Sequence, residues 1–332
     1  TISMAIKFGV IGGGSWATAI VKMLCENLDE VGWYMRSDHA IEHIKKEYHN
    51  PNYLSAVEFH VEQLKLSNDI NEIIAYADYL IFAIPSAFVG KELEQVTASL
   101  NGKKIFSAIK GIVPETGLIV GHHFHKNFDV PFDDIGVITG PCHAEEVALE
   151  RLSYLTIACS SEEHAIVVAD HLKSEYIRTT ISDDTIGTEY AATLKNIYAI
   201  ASGIAHGLGY GDNFQSVLMS NAIREMKKFI KKVHKLKRNI NDSAYLGDLL
   251  VTGYSIFSRN RMFGNMIGKG YTVKSAMMEM SMVAEGYYAA KCVFELNEKL
   301  GAKTPILNAV YHVLYKGKDP KKTFAKLTEK LD

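Results

Sequence analysis

The chain has 332 residues, with 36 Lys and Arg against 38 Asp and Glu for a formal net charge of −2, and 47% of its residues are hydrophobic. This length suits about two domains, each burying its own core, and the balanced charge provides no basic field of the kind a nucleic-acid partner requires, so a small substrate is expected. Cys25, Cys142, Cys159 and Cys292 are far apart and form no CxxC or His/Cys cluster, so neither a disulfide framework nor a zinc site is signalled, which fits a reducing cytoplasm.

Ile6 to Ile11 is a short apolar run without polar alternation, as expected of a parallel strand covered on both faces. No basic segment precedes it and glycines follow at once, so no signal peptide is expected. It ends in Gly12-Gly13-Gly14-Ser15-Trp16-Ala17, a GxGxxA pattern, and Thr18 to Leu28 reads as a helix. Gly12 permits the tight turn, Gly14 admits a pyrophosphate close to the backbone, and Ala17 keeps helix and strand near each other, while the helix N-terminus supplies N–H groups. The alternative is a glycine-rich turn that binds nothing.

The next strand, Val31 to Met35, leads to Arg36, about twenty residues past the glycines, where NAD-specific chains place an acidic residue on the ribose. A guanidinium suits a 2′-phosphate instead, so the pattern reads as NADP-capable and disfavours FAD; an exposed strand-end arginine is the bland reading. Asp78 to Pro85 and Lys103 to Ile109 are further strands, with a helical stretch expected from Ser86 to Leu100 between them. This alternation predicts a doubly wound, mostly parallel sheet, with ligands at the carboxyl ends of its strands. Position alone therefore singles out Pro85, Lys110-Gly111 and Gly140-Pro141. Cys142, His143 and Ala144 follow and open a short helix with Glu145 and Glu146 in its first turn. Leu152 to Ser160 and Tyr176 to Ile181 read as the last strands, and the β pattern stops after Asp184.

From Ile186 to His206 an amphipathic stripe of Tyr190, Leu194, Ile197, Ala201 and Ile204 predicts a helix. Its other side is lined by Ala191, Ala192, Ala199, Ser202 and Gly203, small enough for neighbours to approach closely. Lys195 lies in the middle, followed by Asn196. Burial would lower the pKa of that amine and prepare it for proton transfer; otherwise it snorkels to the surface or pairs with Glu189. Spanning length notwithstanding, Glu189 and Lys195 argue against a transmembrane segment. Asn213 to Val233 is a second helix, and Lys227, Lys228, Lys231, Lys232, Lys235, Lys237 and Arg238 read as a solvated face, with attraction to an anionic membrane surface as the minority reading. Ser258-Arg259-Asn260-Arg261 offers donors suited to a phosphate, with a surface salt bridge as the alternative.

Taken together, GGGSWATA, AIKG, TGPCHAEE, LKNIYAIASG, GLGYGDN, LGDL, SRNRMFG and AEGY occur in the order and approximate spacing of one family, across nearly the whole chain. The sequence resembles bacterial-type NAD(P)-dependent glycerol-3-phosphate dehydrogenase. The resemblance implies an α/β N-terminal Rossmann domain over residues 1–184 and an all-α C-terminal domain over 185–332. It also implies NAD(P)H-linked reduction of dihydroxyacetone phosphate to sn-glycerol 3-phosphate for phospholipid synthesis, in the cytoplasm, with a homodimer as a candidate assembly, no nucleic-acid partner and no integral membrane segment. By matching motif, Lys195 is implied as general acid/base. Lys110, Gly140, Cys142, Lys195, Asp248, Ser258, Arg259 and Asn260 are implied around the substrate. Gly12, Gly14, Ser15, Trp16, Arg36, Lys110, Ala144, Arg259, Val283 and Glu285 are implied around the cofactor; the guanidinium of Arg36 makes NADPH the expected preference with NADH usable, and no metal is expected. Two positions depart from the pattern: Cys142 stands where a hydroxyl residue is usual, and Ser220-Asn221 where many relatives read Thr-Arg. A related hydroxyacid or ketopantoate-type dehydrogenase is the competing enzyme reading, but it has no need of the SRNR segment. A non-catalytic nucleotide-sensing protein leaves Lys195 unexplained.

Overall fold

The computed structural model describes residues 4–281 and 284–332. Two compact units emerge, one made of residues 1–109 and 120–185, the other of residues 110–119 and 186–332. The division is therefore not a single cut in the chain, because the ten-residue excursion after Ile109 groups with the helical unit.

The first unit is built on β1 (Phe8–Ile11), β2 (Val31–Tyr34), β3 (Leu64–Ser67), β4 (Tyr79–Phe82) and β5 (Lys104–Ser107). The excursion supplies β6 (Ile112–Val113) and β7 (Leu118–Ile119), and the first unit resumes with β8 (Ile135–Thr139), β9 (Ser153–Cys159) and β10 (Ile177–Ser182). One eight-stranded sheet runs β10-β9-β8-β5-β4-β1-β2-β3. Every pairing in it is parallel except β8 with β9. The strand order reverses between β1 and β4, which opens the crevice that doubly wound sheets use for nucleotides. β1, β2 and β4 are buried at every residue, which explains why they read as unbroken apolar runs. β3, at the sheet edge, has only Ser67 buried and gave no such signal.

The helix after β4 is shorter than its pattern suggests. A 3₁₀ turn at Ser86–Phe88 leads into a helix at Val89–Leu93 that goes no further. The Asn71 side-chain oxygen accepts from the backbone N–H groups of Thr97 and Ala98, at 2.7 and 2.9 Å, and so satisfies donors that a continued helix would have used.

The second unit is helical apart from the antiparallel β6–β7 pair, whose Ile112 and Ile119 enter its core. Its longest helix, Thr185–Gly207, buries the expected stripe Tyr190, Leu194, Ile197, Ala201 and Ile204, and the small-residue side is buried too. The reason is backbone contact with the Arg259–Gly268 helix. A Cβ on Gly203 would lie 2.1 Å from the Arg261 carbonyl oxygen, and one on Gly264 would lie 2.1 Å from that of Ile200. Gly207 and Gly268 continue the same close seam one turn on. Among the described residues no helix is long and apolar enough to cross a membrane.

The seam is directly testable. Gly264→Ala gains up to about 1 kcal/mol of helix propensity but forces two backbones apart, and a net loss of about 1–3 kcal/mol is expected in urea unfolding. An unchanged midpoint would show that the seam does not need glycine.

Candidate active site

At the carboxyl end of β1 the chain turns through Gly12, whose φ of +136° and whose position 2.2 Å (at Cβ) from the Ala83 carbonyl oxygen exclude any side chain. The Trp33 indole N–H donates to the Gly12 carbonyl at 2.7 Å and pins the turn from below. Gly14 stands at the N-cap of the Ser15–Cys25 helix with no side-chain cap, and nothing lies within 4 Å of where its Cβ would be. The two glycines thus do different work: the first is crowded by protein and the second faces open space. Asn50, 1% exposed, donates to the Gly13 carbonyl at 3.2 Å and to the Thr18 hydroxyl at 3.0 Å, and that hydroxyl donates to the Gly14 carbonyl at 2.7 Å. This clamp on the loop was not legible in the GxGxxA pattern, since Asn50 lies in an ordinary-looking turn sequence. A crowded Gly12 and an open Gly14 at an uncapped helix start fit a dinucleotide pyrophosphate. Ser15 is buried and Trp16 half-buried at that start.

Arg36 follows β2 with its side chain 75% exposed, and its Nη1 is 3.7 Å from Oε1 of the nearly buried Glu92. Gly140, just past β8, has φ +121° and a Cβ position 2.7 Å from the Tyr154 carbonyl oxygen, so only glycine fits there. Cys142 and Ala144 follow, both buried.

The helical unit holds the titratable centre. Lys195 is 4% exposed and Asp248 1% exposed, and Lys195 Nζ donates to Asp248 Oδ1 at 2.5 Å. The lysine neither snorkels nor pairs with Glu189; its partner comes from 53 residues away, on the Asp248–Tyr254 helix. Burial pushes the amine down most strongly, Asp248 opposes it, Lys110 adds a second downward push, and the net effect lowers Lys195 from 10.5 to about 7. Asp248 Oδ2 and the Thr252 hydroxyl one turn further on are buried without a hydrogen-bond partner. An orphaned carboxylate oxygen beside a perturbed amine marks a place where a polar guest completes the set.

Around this centre the Asn196 amide donates to the Lys110 carbonyl at 2.7 Å, tying the half-buried Lys110 to the central helix. Asn260 Oδ1 accepts from the Gly286 N–H at 2.8 Å, and a Cβ on Gly286 would sit 2.6 Å from the Asn196 carbonyl oxygen. These contacts place the start of the Glu285–Leu300 helix against Asn196 and Asn260. Ser258 caps the next helix by accepting from the Arg261 N–H at 3.2 Å, which puts Arg259 at the first helical position. Arg259 and Arg261 are two apart on that helix and so do not share a face. Val283 lies outside the described residues. Asn221, at the position of the second departure, donates to the Asp332 carbonyl at 2.8 Å and so ties Asp332 to its helix. Among the described residues no His, Cys, Asp and Glu group could hold a metal.

A family model described as NAD-dependent glycerol-3-phosphate dehydrogenase N-terminus matches residues 7–165, and one described as the C-terminus of the same enzyme matches residues 184–325. The chain is 33% identical over 316 residues to a glycerol-3-phosphate dehydrogenase (NAD(P)+) of Macrococcus caseolyticus, covering 95% of each. Its fold is similar to the crystal structure of glycerol-3-phosphate dehydrogenase from Coxiella burnetii, with a TM-score of 0.89 at 26% identity over 98% of this chain and 99% of that one. A ketopantoate reductase from Ralstonia eutropha, at TM-score 0.64 and 13% identity over 96% of this chain and 99% of that one, shares the fold alone.

Because Gly14 has room on the protein side, Gly14→Ala is expected to change stability by no more than about 1 kcal/mol. The same methyl occupies the approach to a pyrophosphate, and binding of NADH and NADPH should weaken alike by about tenfold or more. Fluorescence titration beside thermal unfolding checks both, and undiminished binding would remove the loop from the cofactor site.

Proposed function

This chain belongs to the NAD-dependent glycerol-3-phosphate dehydrogenase family, and we propose that Lys195 is the group that moves the proton in its reaction. The enzyme is an NAD(P)-dependent glycerol-3-phosphate dehydrogenase, interconverting dihydroxyacetone phosphate and sn-glycerol 3-phosphate. The observation that carries the proposal is the buried Lys195–Asp248 pair, with an amine brought down to about 7. An acid of that strength is protonated often enough to donate and deprotonated often enough to accept near neutral pH.

A bound nicotinamide supplies the hydride in the reducing direction and accepts it in the oxidising one. The chain's own task is to bind, orient and neutralise. As a ketone is reduced, negative charge develops on its oxygen; Lys195 Nζ meets that charge with a proton, and Lys110 stabilises it as a second cation. Asp248 holds the amine in place through Oδ1, and its unpartnered Oδ2 is suited to a substrate hydroxyl. Arg259, with the Asn260 amide, is assigned to the phosphate, whose binding energy serves orientation because it is remote from the reacting carbon. Gly140 and Cys142 are assigned to the substrate through backbone N–H groups, since a thiol is a weak donor.

Toward the cofactor, Gly12, Gly14, Ser15 and Trp16 would hold the pyrophosphate, Arg36 the adenosine ribose or its 2′-phosphate, and Ala144 would line the same edge. Lys110, Arg259 and Glu285 carry the remaining cofactor assignments. NADPH is the preferred cofactor in this reading and NADH an alternative. A cytoplasmic enzyme, dimeric and supplying phospholipid synthesis, completes it. A hydroxyacid or ketopantoate-type activity is not favoured, because resemblance to that group reaches the fold and no further.

Lys195→Met should lower kcat by about a hundred- to ten-thousand-fold with cofactor binding retained. It also leaves Asp248 buried without its partner, at a cost of about 3–5 kcal/mol, so the assay belongs well below the unfolding temperature. Near wild-type turnover would reduce Lys195 to a structural role. In the wild type, kcat/KM for ketone reduction should fall as pH rises through about 7, and that for alcohol oxidation should rise, because reduction needs the charged amine and oxidation the neutral one. Parallel pH profiles in the two directions would contradict the assignment. Arg259→Ala should weaken dihydroxyacetone phosphate by about 1.5–3 kcal/mol, and an unchanged Michaelis constant would remove Arg259 from the phosphate.

A further inference from the structure

The carboxylate beside Arg36 has no role in the reading above, yet it is held with some care. Glu92 is 7% exposed, on the Val89–Leu93 helix that follows β4. Its Oε2 accepts from the Tyr34 hydroxyl at 2.8 Å and from the Gln95 amide at 3.2 Å. Tyr34 is the last residue of β2 and is itself buried. Burial and then Glu92 push the phenol up to about 12, so it stays a hydrogen-bond donor across the working range. With Oε2 occupied twice, Oε1 is the atom turned to Arg36, 3.7 Å from Nη1. The charge is therefore fixed and sheltered, whereas its cationic partner is three-quarters exposed and open to a ligand.

We propose that Glu92 is a specificity-determining residue that restrains the preference for NADPH and so keeps NADH usable. The inference rests on the assignment of Arg36 to the 2′-phosphate. A phosphate arriving at Arg36 must share the guanidinium with Glu92 and accept a like charge close by, whereas the free ribose hydroxyls of NADH meet neither penalty. Tethering works in the other direction, since a carboxylate keeps the arginine near the groove. An ion pair this exposed on one side holds its partner only weakly, so repulsion decides the sign. The strand end thereby carries two opposed devices, a cation that selects the phosphate and an anion that limits the selection.

The test compares the ratio of kcat/KM for NADPH to that for NADH in the wild type, Glu92→Gln, Tyr34→Phe and Arg36→Ala, at one fixed ionic strength. Glu92→Gln keeps the shape and removes the charge. Its ratio should rise by roughly two- to fivefold, through a lower KM for NADPH, with kcat and the KM for NADH little moved. Tyr34→Phe removes the donor and keeps the charge, and its ratio should not rise. An equal rise in Tyr34→Phe would assign the effect to packing and overturn the inference. Should the glutamine variant not fold, Glu92→Asp, which draws the charge back by one methylene, is expected to show a smaller rise, and no rise there overturns it as well. If Arg36→Ala lowers the ratio while Glu92→Gln leaves it unchanged or lowers it, Glu92 has no such role although the Arg36 assignment stands. If Arg36→Ala leaves the ratio unmoved, the Arg36 assignment fails and the inference falls with it.

Discussion

An ammonium and a carboxylate 2.5 Å apart, both almost wholly shut off from water, are expensive to assemble and useful once assembled. Each ion loses several kcal/mol of hydration on burial, and their attraction offsets that loss only when the geometry is held by other parts of the fold. The rest of the helical unit can be understood as that support. Lys195 sits on a helix buried along nearly its whole length, which keeps its side chain almost wholly out of water. Asp248 arrives at the start of a separate short helix. The amide of Asn196, on the residue next to Lys195, holds the Lys110 backbone, which keeps a second cation near the first and helps to depress its pKa.

Close backbone packing makes this burial possible. Gly203 and Gly207 on one helix meet Gly264 and Gly268 on the other with no space for a methyl group, so the segment that carries Ser258, Arg259 and Asn260 runs immediately beside the one that carries Lys195. Asn260 then fixes the Glu285–Leu300 helix through the Gly286 N–H. In the strand-bearing unit the corresponding constraint is Gly12, which the Ala83 carbonyl and the Trp33 indole hold in a turn that no other residue could make. Both units thus use glycine where backbone must touch backbone and leave one glycine, Gly14, where it must touch something else.

Much of this was legible in the residues. Burial on both faces made β1, β2 and β4 stand out as apolar runs, and a strong 3.6-residue stripe gave the Thr185–Gly207 helix to within a residue at each end. Local signals failed where a distant partner decides the outcome. The Ser86–Leu100 stretch has helical composition, but Asn71 takes the amides of Thr97 and Ala98. The edge strand β3 is only four residues, LKLS, with one of them buried, too short for its alternation to stand out, and the Lys110–Ile119 excursion joins the helical core through Ile112 and Ile119, which no periodicity marks. At the site, the sequence isolated Lys195 as a cation needing a reason but offered Glu189 as its partner. Asp248 was reached only through the family pattern, because a pairing across 53 residues leaves no trace in either segment. Asn50 and Glu92, which hold the glycine loop and face Arg36, were missed for the same cause.

The central claim is that burial, opposed but not overcome by Asp248, brings Lys195 into the neutral range. The most direct measurement follows the Cε resonance of ¹³C-labelled lysine by NMR as pH is raised, with Lys195 identified by its absence in Lys195→Met. The account predicts one lysine titrating near 7, against the ordinary value of 10.5, and a midpoint lower still in Asp248→Asn because the opposing charge is gone. A Lys195 that keeps its proton up to its ordinary value would contradict it.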